Sequence, residues 1–270
     1  MQATHSDQSR DPRIEDPTNF WVIHRAARAL LPWALTHKVS ANAVSFIGLG
    51  FGILAAFCYL GWRDWRFASL GFLFCIGWLI ADGLDGMIAR ATGTASAFGR
   101  FLDGLCDHGV FVLLYLALGF SLDAAEAWLL MAAAGAAHAL QSSLYEGERA
   151  RYHRRRRGES IRPRLLSGNP LVRIYDAVAD SLDRAAAPFE RRLAEVADKP
   201  RLIERYRSLA VPPMKLQALL SANVRVIALY AGCLAGTPTL FWWFEIIPLS
   251  AVALAGILWH RRAEHSSAQP

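Results

Sequence analysis

Val39 to Trp62 reads VSANAVSFIGLGFGILAAFCYLGW, 24 residues without one charged side chain. An α-helix rises about 1.5 Å per residue, so about 20 such residues cross the roughly 30 Å hydrocarbon core of a bilayer. A helix that is apolar all round, rather than along one stripe, belongs in a membrane or in the centre of a large core. This stretch therefore reads as a membrane span. Its neighbours repeat the pattern. Phe67 to Ala81 is apolar until Asp82 interrupts it, and Gly109 to Leu122 mirrors it, with Asp103 and Asp107 just before. Ala127 to Tyr145, Gln217 to about Ala235 and Phe241 to Trp259 complete six candidate spans, the last two containing Arg225 and Glu245. The whole chain agrees: of 270 residues, 54% are hydrophobic and 19% charged, and the mean hydropathy is +0.23. Disordered chains are polar and highly charged, so that class is excluded. The expected fold class is an all-α integral membrane bundle of six transmembrane helices.

The flanking segments are different in kind. In the first 38 residues, Phe20, Ile23, Ala27, Leu30, Leu31 and Trp33 approximate a helical stripe among His24, Arg25 and Arg28. Such a helix lies in the membrane interface, or else is a short cytosolic helix. No charged n-region, apolar h-region and cleavage site opens the chain, so no cleaved signal peptide is expected. The 29 basic residues set the orientation. Both termini and the even-numbered loops hold 26 of them and the odd-numbered loops two, with Arg225 inside a span. Basic residues stay on the cytoplasmic side, which puts both termini there. The expected layout is a cytoplasmic arm and interfacial helix at 1–38, a six-span domain at 39–260 and a cytoplasmic tail at 261–270.

Seventeen of the basic residues lie in one long helical cytoplasmic loop, 146–216, between spans 4 and 5. Its run Arg154 to Arg157 suits anionic lipid more simply than nucleic acid. Apolar residues from Leu171 to Val196 recur at three- and four-residue steps, predicting an amphipathic helix over about 170–197. Pro200, Pro212 and Pro213 are expected to punctuate the rest of the loop. The four cysteines, Cys58, Cys75, Cys106 and Cys233, form no CxxC pair and lie in apolar stretches, so they read as small buried hydrophobes. Only three of the basic residues are lysine, a bias usual for a GC-rich bacterial genome.

The chemistry concentrates between spans 2 and 3. Asp82-Gly-Leu-Asp85-Gly86-Met-Ile-Ala89-Arg90 is followed, eight residues later, by Gly99-Arg-Phe-Leu-Asp103-Gly-Leu-Cys-Asp107. Steps of three and four place each aspartate pair on one helix face. A short connection makes the two helices antiparallel neighbours, so four carboxylates converge at the cytoplasmic membrane face. Like charges in a partly buried site repel, and burying each costs several kcal/mol, so a cation must compensate. All-oxygen ligands suit Mg2+ or Mn2+, and four carboxylates suffice for two ions. Gly86 and Gly99 leave room for a diphosphate to approach the backbone, and Arg90 offers a two-pronged guanidinium to phosphate oxygens.

This segment resembles the signature of the CDP-alcohol phosphatidyltransferase family, DxxDGxxARx8GxxxDxxxD, at Asp82, Asp85, Gly86, Ala89, Arg90, Gly99, Asp103 and Asp107. The resemblance implies a reaction. An alcohol hydroxyl attacks the β-phosphorus of a CDP-linked alcohol, CMP leaves and a phosphodiester forms, as in phospholipid biosynthesis. It implies Asp107 as general base and two Mg2+ or Mn2+ ions, with Asp82 and Asp103 shared, Asp85 completing the first ion's shell and Asp107 the second's. It places Gly86, Ala89, Arg90, Ser96 and Gly99 at positions that hold the CDP diphosphate or cytidine. Asn42-Ala-Val-Ser45 resembles the family's PNxxT-like element, which also touches the nucleotide, with Ala41 and Ser45 in place of proline and threonine. Relatives use CDP-linked lipid donors such as CDP-diacylglycerol and small polar or phosphorylated alcohol acceptors, and tend to homodimerise.

Several residues carry two readings. Arg225 is a candidate for an acceptor or lipid phosphate, or snorkels to the surface. His108 tunes the site or is a satisfied helix residue. Glu146 and Glu148 face the same cavity or end the fourth span. Gly48 and Gly52 form a GxxxG that reads as a packing face. Two other functions compete: a non-catalytic membrane scaffold using the basic loop, which leaves the aspartates without a role, and a divalent-ion transporter. Transport needs carboxylates spread through the membrane depth, whereas these cluster at one face.

Overall fold

The computed structural model describes residues 11–159, 187–196 and 198–267, and every regular element among them is helical. They fall into two compact units. One comprises residues 17–140 and 221–250, the other the described parts of 1–16, 141–220 and 251–270.

The first unit begins with a π-helical turn, Asn19–Ile23, that runs into α1 (His24–Thr36). Next come α2 (Ala41–Leu60), α3 (Trp65–Thr92), α4 (Ala97–Leu122) and the start of α5 (Ala125–Arg156). Each of the helices α2, α3 and α4 has a readable start. Ser40, Asp64 and Ser96 sit in extended backbone, and their side chains accept from Ala43 N, Arg66 N and Gly99 N, satisfying donors the helix itself leaves open. Gly93 closes α3 at φ 66°, a left-handed conformation that glycine adopts without strain. Only Gly93 to Ser96 separate α3 from α4.

The small residues of α2 let it pack tightly on both α3 and α4. A Cβ at Gly48 would lie 3.2 Å from Ala81 Cβ, and one at Gly52 only 2.3 Å from Val110 Cγ2. The GxxxG is thus a packing face, with one glycine turned to each neighbour. Around it lies a core of Ala55, Tyr59, Cys75, Trp78, Val110, Leu114, Leu118 and Trp242, all buried. α1 packs on α3, where Ala27 and Ile23 approach Gly83, while Trp21, Trp33 and Leu30 remain exposed. The predicted single stripe of α1 is therefore split: Ile23 and Ala27 face protein, Leu30 and Trp33 face outward.

Among the described residues four helices are long and apolar enough to cross a membrane: Ala41–Leu60, Trp65–Thr92, Phe98–Leu122 and Thr239–Ser267. The chain is an integral membrane protein, with four such spans among the described residues, or five if one bent helix pair is a single span. The expected fourth span lies in α5, whose apolar half is alanine-rich and carries His138, Gln141, Ser142 and Ser143. The expected fifth is α8 (Ala222–Leu234), 13 residues long. At about 1.5 Å per residue that is near 20 Å, too short alone. It counts as a fifth span only if joined to the preceding Lys199–Leu220. The last span is one unbroken run through α9 (Thr239–Phe244), a π-helical turn (Glu245–Leu249) and α10 (Ser250–Ser267).

The helices run past the apolar stretches, as the aspartate spacing predicts: α3 continues beyond Asp82 to Thr92, and α4 begins at Ala97, ahead of Asp103 and Asp107. α3 has 28 residues, about 42 Å, and overshoots a roughly 30 Å hydrocarbon layer by two turns.

The second unit contains the end of α5, α6 (Ala187–Glu195), α7 (Lys199–Gln217) and most of α10. The predicted 170–197 helix lies outside the described residues up to 186; α6 is its described end. Pro200 sits in the first turn of α7, and Pro212 and Pro213 lie inside that helix rather than breaking it. The arginine run is not a loop but the last turn of α5 and the residue after it, and ion pairs within the chain occupy it. Arg155 Nε donates to Glu190 Oε1 at 2.8 Å and Arg155 Nη1 to Glu264 Oε1 at 2.5 Å, with the guanidinium 4.6 Å above the Phe189 ring. Arg157 pairs with Glu159.

Glu148, His260 and Glu264 bring ligand atoms within 4.8 Å of one another, all buried. Three guanidiniums bind the same carboxylates, however: Arg151 on Glu148 at 2.7 Å, Arg155 on Glu264, and Arg261 on Glu264 at 3.0 Å. His260 Nδ1 lies 2.5 Å from Glu148 Oε2, and His260 Nε2 lies 2.8 Å from the Tyr206 hydroxyl. With its negative charge already matched, this is an ion cluster that would repel a divalent cation. Burial alone would raise the Glu148 carboxyl, but His260, Arg151 and Arg261 outweigh burial and bring it down to about 2.

This packing and this ion cluster set the stability. Gly52→Ala should lower the unfolding midpoint in detergent by the equivalent of about 1–3 kcal/mol, since buried, β-branched Val110 cannot yield. Gly50→Ala, with nothing within 4 Å of the new methyl, should not lower it. Glu148 has a folded value below the ordinary carboxylate value of 4.5, so its contribution is complete above that value and fades as pH falls towards 2. Glu148→Gln should therefore destabilise by about 3 kcal/mol at pH 7. In thermal melts the gap to the unsubstituted protein should shrink as pH is lowered from about 5 to about 3. A gap independent of pH would contradict this.

Candidate active site

α2, α3 and α4 each contribute one end to the same region of the first unit. From α3 come Asp82 and Asp85, one turn apart; from α4 comes Asp103. Oxygens of these three carboxylates lie within 4.8 Å of one another. Asp85 is buried, Asp82 and Asp103 half-buried. At about 4 Å, two unit charges repel by roughly 4 kcal/mol at an effective dielectric constant of 20. Three such pairs held by rigid helices fit a hard divalent ion with oxygen ligands.

Ser45, one turn into α2, donates to Asp85 Oδ2 at 2.5 Å. The sequence motif associates this serine with nucleotide; the structure also gives it the task of fixing a carboxylate. Asp107 stands one turn beyond Asp103 and outside the group of three. Its Oδ1 accepts from the Trp78 indole N–H at 3.2 Å. Sequence reasoning misses Trp78, because a tryptophan in an apolar run reads as packing. Its only signal is position, four residues before Asp82 on the same helix face.

Beside the carboxylates opens a cavity of about 550 Å³. Asn42, Ser45, Gly86, Ala89, Arg90, Ser96 and Gly99, the seven expected nucleotide-binding positions, all line it with Asp85 and Asp103. Arg90 folds back over Gly86: a Cβ there would meet its Nη1 at 3.3 Å. At Gly99 a Cβ would approach Ser96 Oγ at 3.2 Å and Asn42 Oδ1 at 3.8 Å. These two glycines thus keep the cavity wall low where α2 and α4 begin. Lys38, Arg100, Thr92 and Thr94 line it as well, and the sequence motif points to none of them.

Arg225 is not among the lining residues. It is fully buried, paired with Glu245, and has His138 Nδ1 2.8 Å from its Nη1. It therefore does not snorkel, and the carboxylate neutralises it. His108 Nδ1 lies 2.8 Å from Gly104 O, one turn back, as a satisfied helix residue. Glu148 is engaged in the ion cluster with His260, and Glu146 is exposed beside Arg149. All four cysteines are free and buried.

Residues 38–156 match the family model for CDP-alcohol phosphatidyltransferase. The match marks this segment as similar to that family. It covers somewhat less than half of the chain and holds every residue lining the cavity except Leu35. No curated protein and no solved structure matches the chain. The matched segment begins at Lys38, where α1 turns into α2, and ends at the last residue of α5.

The Ser45–Asp85 bond generates a test. Outer hydrogen-bond partners of metal ligands typically account for 10–100-fold in affinity. Ser45→Ala should raise the Mg2+ concentration for half-maximal activity by about tenfold or more without lowering the unfolding midpoint, and Ser45→Thr should restore it. An unchanged Mg2+ requirement in Ser45→Ala would remove this role.

Proposed function

We propose that the chain transfers a substituted phosphate group from a CDP-linked lipid alcohol, such as CDP-diacylglycerol, to a small polar or phosphorylated alcohol, releasing CMP in phospholipid synthesis. The observation that carries the reading is the convergence of the Asp82, Asp85 and Asp103 oxygens, with Asp85 and Asp103 lining the same cavity as the expected nucleotide-binding positions.

Asp82, Asp85, Asp103 and Asp107 would hold Mg2+ or Mn2+, two ions per site. When bound, the metal supplies positive charge to the diphosphate and to the CMP leaving group. The protein's own contribution is position. Asn42, Ser96 and the low walls at Gly86, Ala89 and Gly99 shape a slot for the nucleotide, and Arg90 sets a guanidinium beside it. The Trp78 N–H fixes one oxygen of Asp107, leaving the other to take the proton from the attacking hydroxyl. Phosphoryl-type transfer rests on such placement and charge compensation more than on covalent chemistry.

A membrane setting suits a lipid donor. The exposed Trp21 and Trp33 of α1 fit the headgroup layer, where tryptophan is favoured. The basic residues flanking the aspartate motif and crowding 146–216 support a cytoplasmic site, and the arginine-over-lysine bias fits a bacterial inner membrane.

Purified protein in mixed micelles should release CMP from CDP-diacylglycerol only with Mg2+ or Mn2+ and one of a panel of alcohols, with the product named by mass spectrometry. Asp107→Asn should lower kcat by about 10²–10⁴, the usual weight of a general base, while remaining folded. Wild-type turnover in Asp107→Asn would contradict the assignment.

A further inference from the structure

α1 ends in a way that its sequence does not favour. Lys38 N donates to Leu35 O at 3.1 Å and Val39 N to Ala34 O at 2.9 Å. These two bonds define a Schellman ending, whose penultimate residue must adopt the left-handed conformation. That residue is Lys38, at φ 53°. Glycine is the ordinary occupant of this position, because any Cβ is strained there. Described residues with positive φ that are not glycine number two, Lys38 and Asp123, and only Lys38 lines the cavity. Strained backbone persists where the surrounding structure enforces it and often marks a functional position.

What the lysine gains is its placement. It stands between α1 and α2, beside Ser40 and Asn42, on the wall shared with Arg90, Arg100 and Gly99. Asp85 and Asp103 form the acidic part of the same cavity. An anion bridging metal and protein would thus meet carboxylate-held cations on one side and the Lys38, Arg90 and Arg100 charges on others. Among the described residues Lys38 has no ion-pair partner, and its side chain is exposed.

We infer that Lys38 is a phosphate-binding residue of the donor site, holding the nucleoside diphosphate at the α1–α2 junction, and that its left-handed backbone is the strain accepted to place it there. The inference rests on the phosphatidyltransferase reading, and it concerns a residue outside the aspartate motif.

Glycine substitution separates the two possibilities at this position, since it relieves the backbone and removes the charge. The protein should be compared as wild type, Lys38→Gly, Lys38→Gln and Lys38→Arg. The readouts are the unfolding midpoint, KM for CDP-diacylglycerol in neutral mixed micelles, and binding of soluble CDP with Mg2+ by calorimetry. Lys38→Gly should melt no lower than wild type, yet bind CDP about tenfold more weakly and show KM raised by a similar factor, as for loss of one charge-assisted contact. Lys38→Gln should show the same losses, and Lys38→Arg should recover most of the binding. Wild-type CDP affinity in Lys38→Gly would overturn the inference. So would a loss seen only on vesicles rich in anionic lipid and not with soluble CDP, since that would make Lys38 a membrane contact. A wild-type protein that binds CDP but releases no CMP would overturn the functional reading instead, and the calorimetric comparison would still decide the role of Lys38.

Discussion

Carboxylates that repel one another are held together here by a helix that bears none of them. α2 is so poor in side-chain volume that α3 and α4 both press against it, at Gly48 and at Gly52. With their backs fixed, α3 and α4 have little freedom to relieve the repulsion at their facing ends. Asp82, Asp85 and Asp103 then stay within 4.8 Å. Such an arrangement is stable only if positive charge enters it, and stiffness in the scaffold becomes affinity for a cation.

The cavity arises from the same packing. α3 is long enough to leave the hydrocarbon layer before it ends, and Gly93 to Ser96 turn the chain back into α4. The N-termini of α2 and α4 thereby open beside the last turns of α3. In the proposed reaction a lipid-linked nucleotide would lie with its acyl chains in the bilayer and its diphosphate among helix ends lined by Lys38, Arg90 and Arg100. Membrane insertion and chemistry are then one design, since the depth of the helices sets the height of the site.

Much of this is legible in the sequence, and for identifiable reasons. Steps of three and four between aspartates have a fixed meaning on a helix, so the meeting of Asp82, Asp85 and Asp103 can be read from spacing and a short connection alone. Five of the seven expected nucleotide positions share a cavity because the motif encodes a local turn, while Asn42 and Ser45 reach it from α2 by tertiary packing. The spans are less legible. Hydropathy cannot see that α5 is an alanine-rich helix passing from one compact unit into another, or that α8 is too short to stand alone. Nor does a run of arginines announce its partners: Arg155 reads as a free basic patch until Glu190 and Glu264 arrive from distant segments. Arg225 stands out in the sequence as a charge within a span, but its partner, Glu245, sits 20 residues on, and only tertiary structure pairs them. The left-handed backbone of Lys38 and the Trp78–Asp107 bond have no sequence signature of their own.

Cation binding by the carboxylate cluster is the claim on which the rest depends, and it can be measured apart from turnover. Mn2+ titrated into the purified protein and followed by electron paramagnetic resonance should show saturable binding. That binding should be lost or weakened by about tenfold or more in Asp82→Asn and in Asp103→Asn, with folding intact, and be unaffected in Glu148→Gln. Equal Mn2+ binding by wild type and both aspartate variants, or none by any of them, would contradict the account.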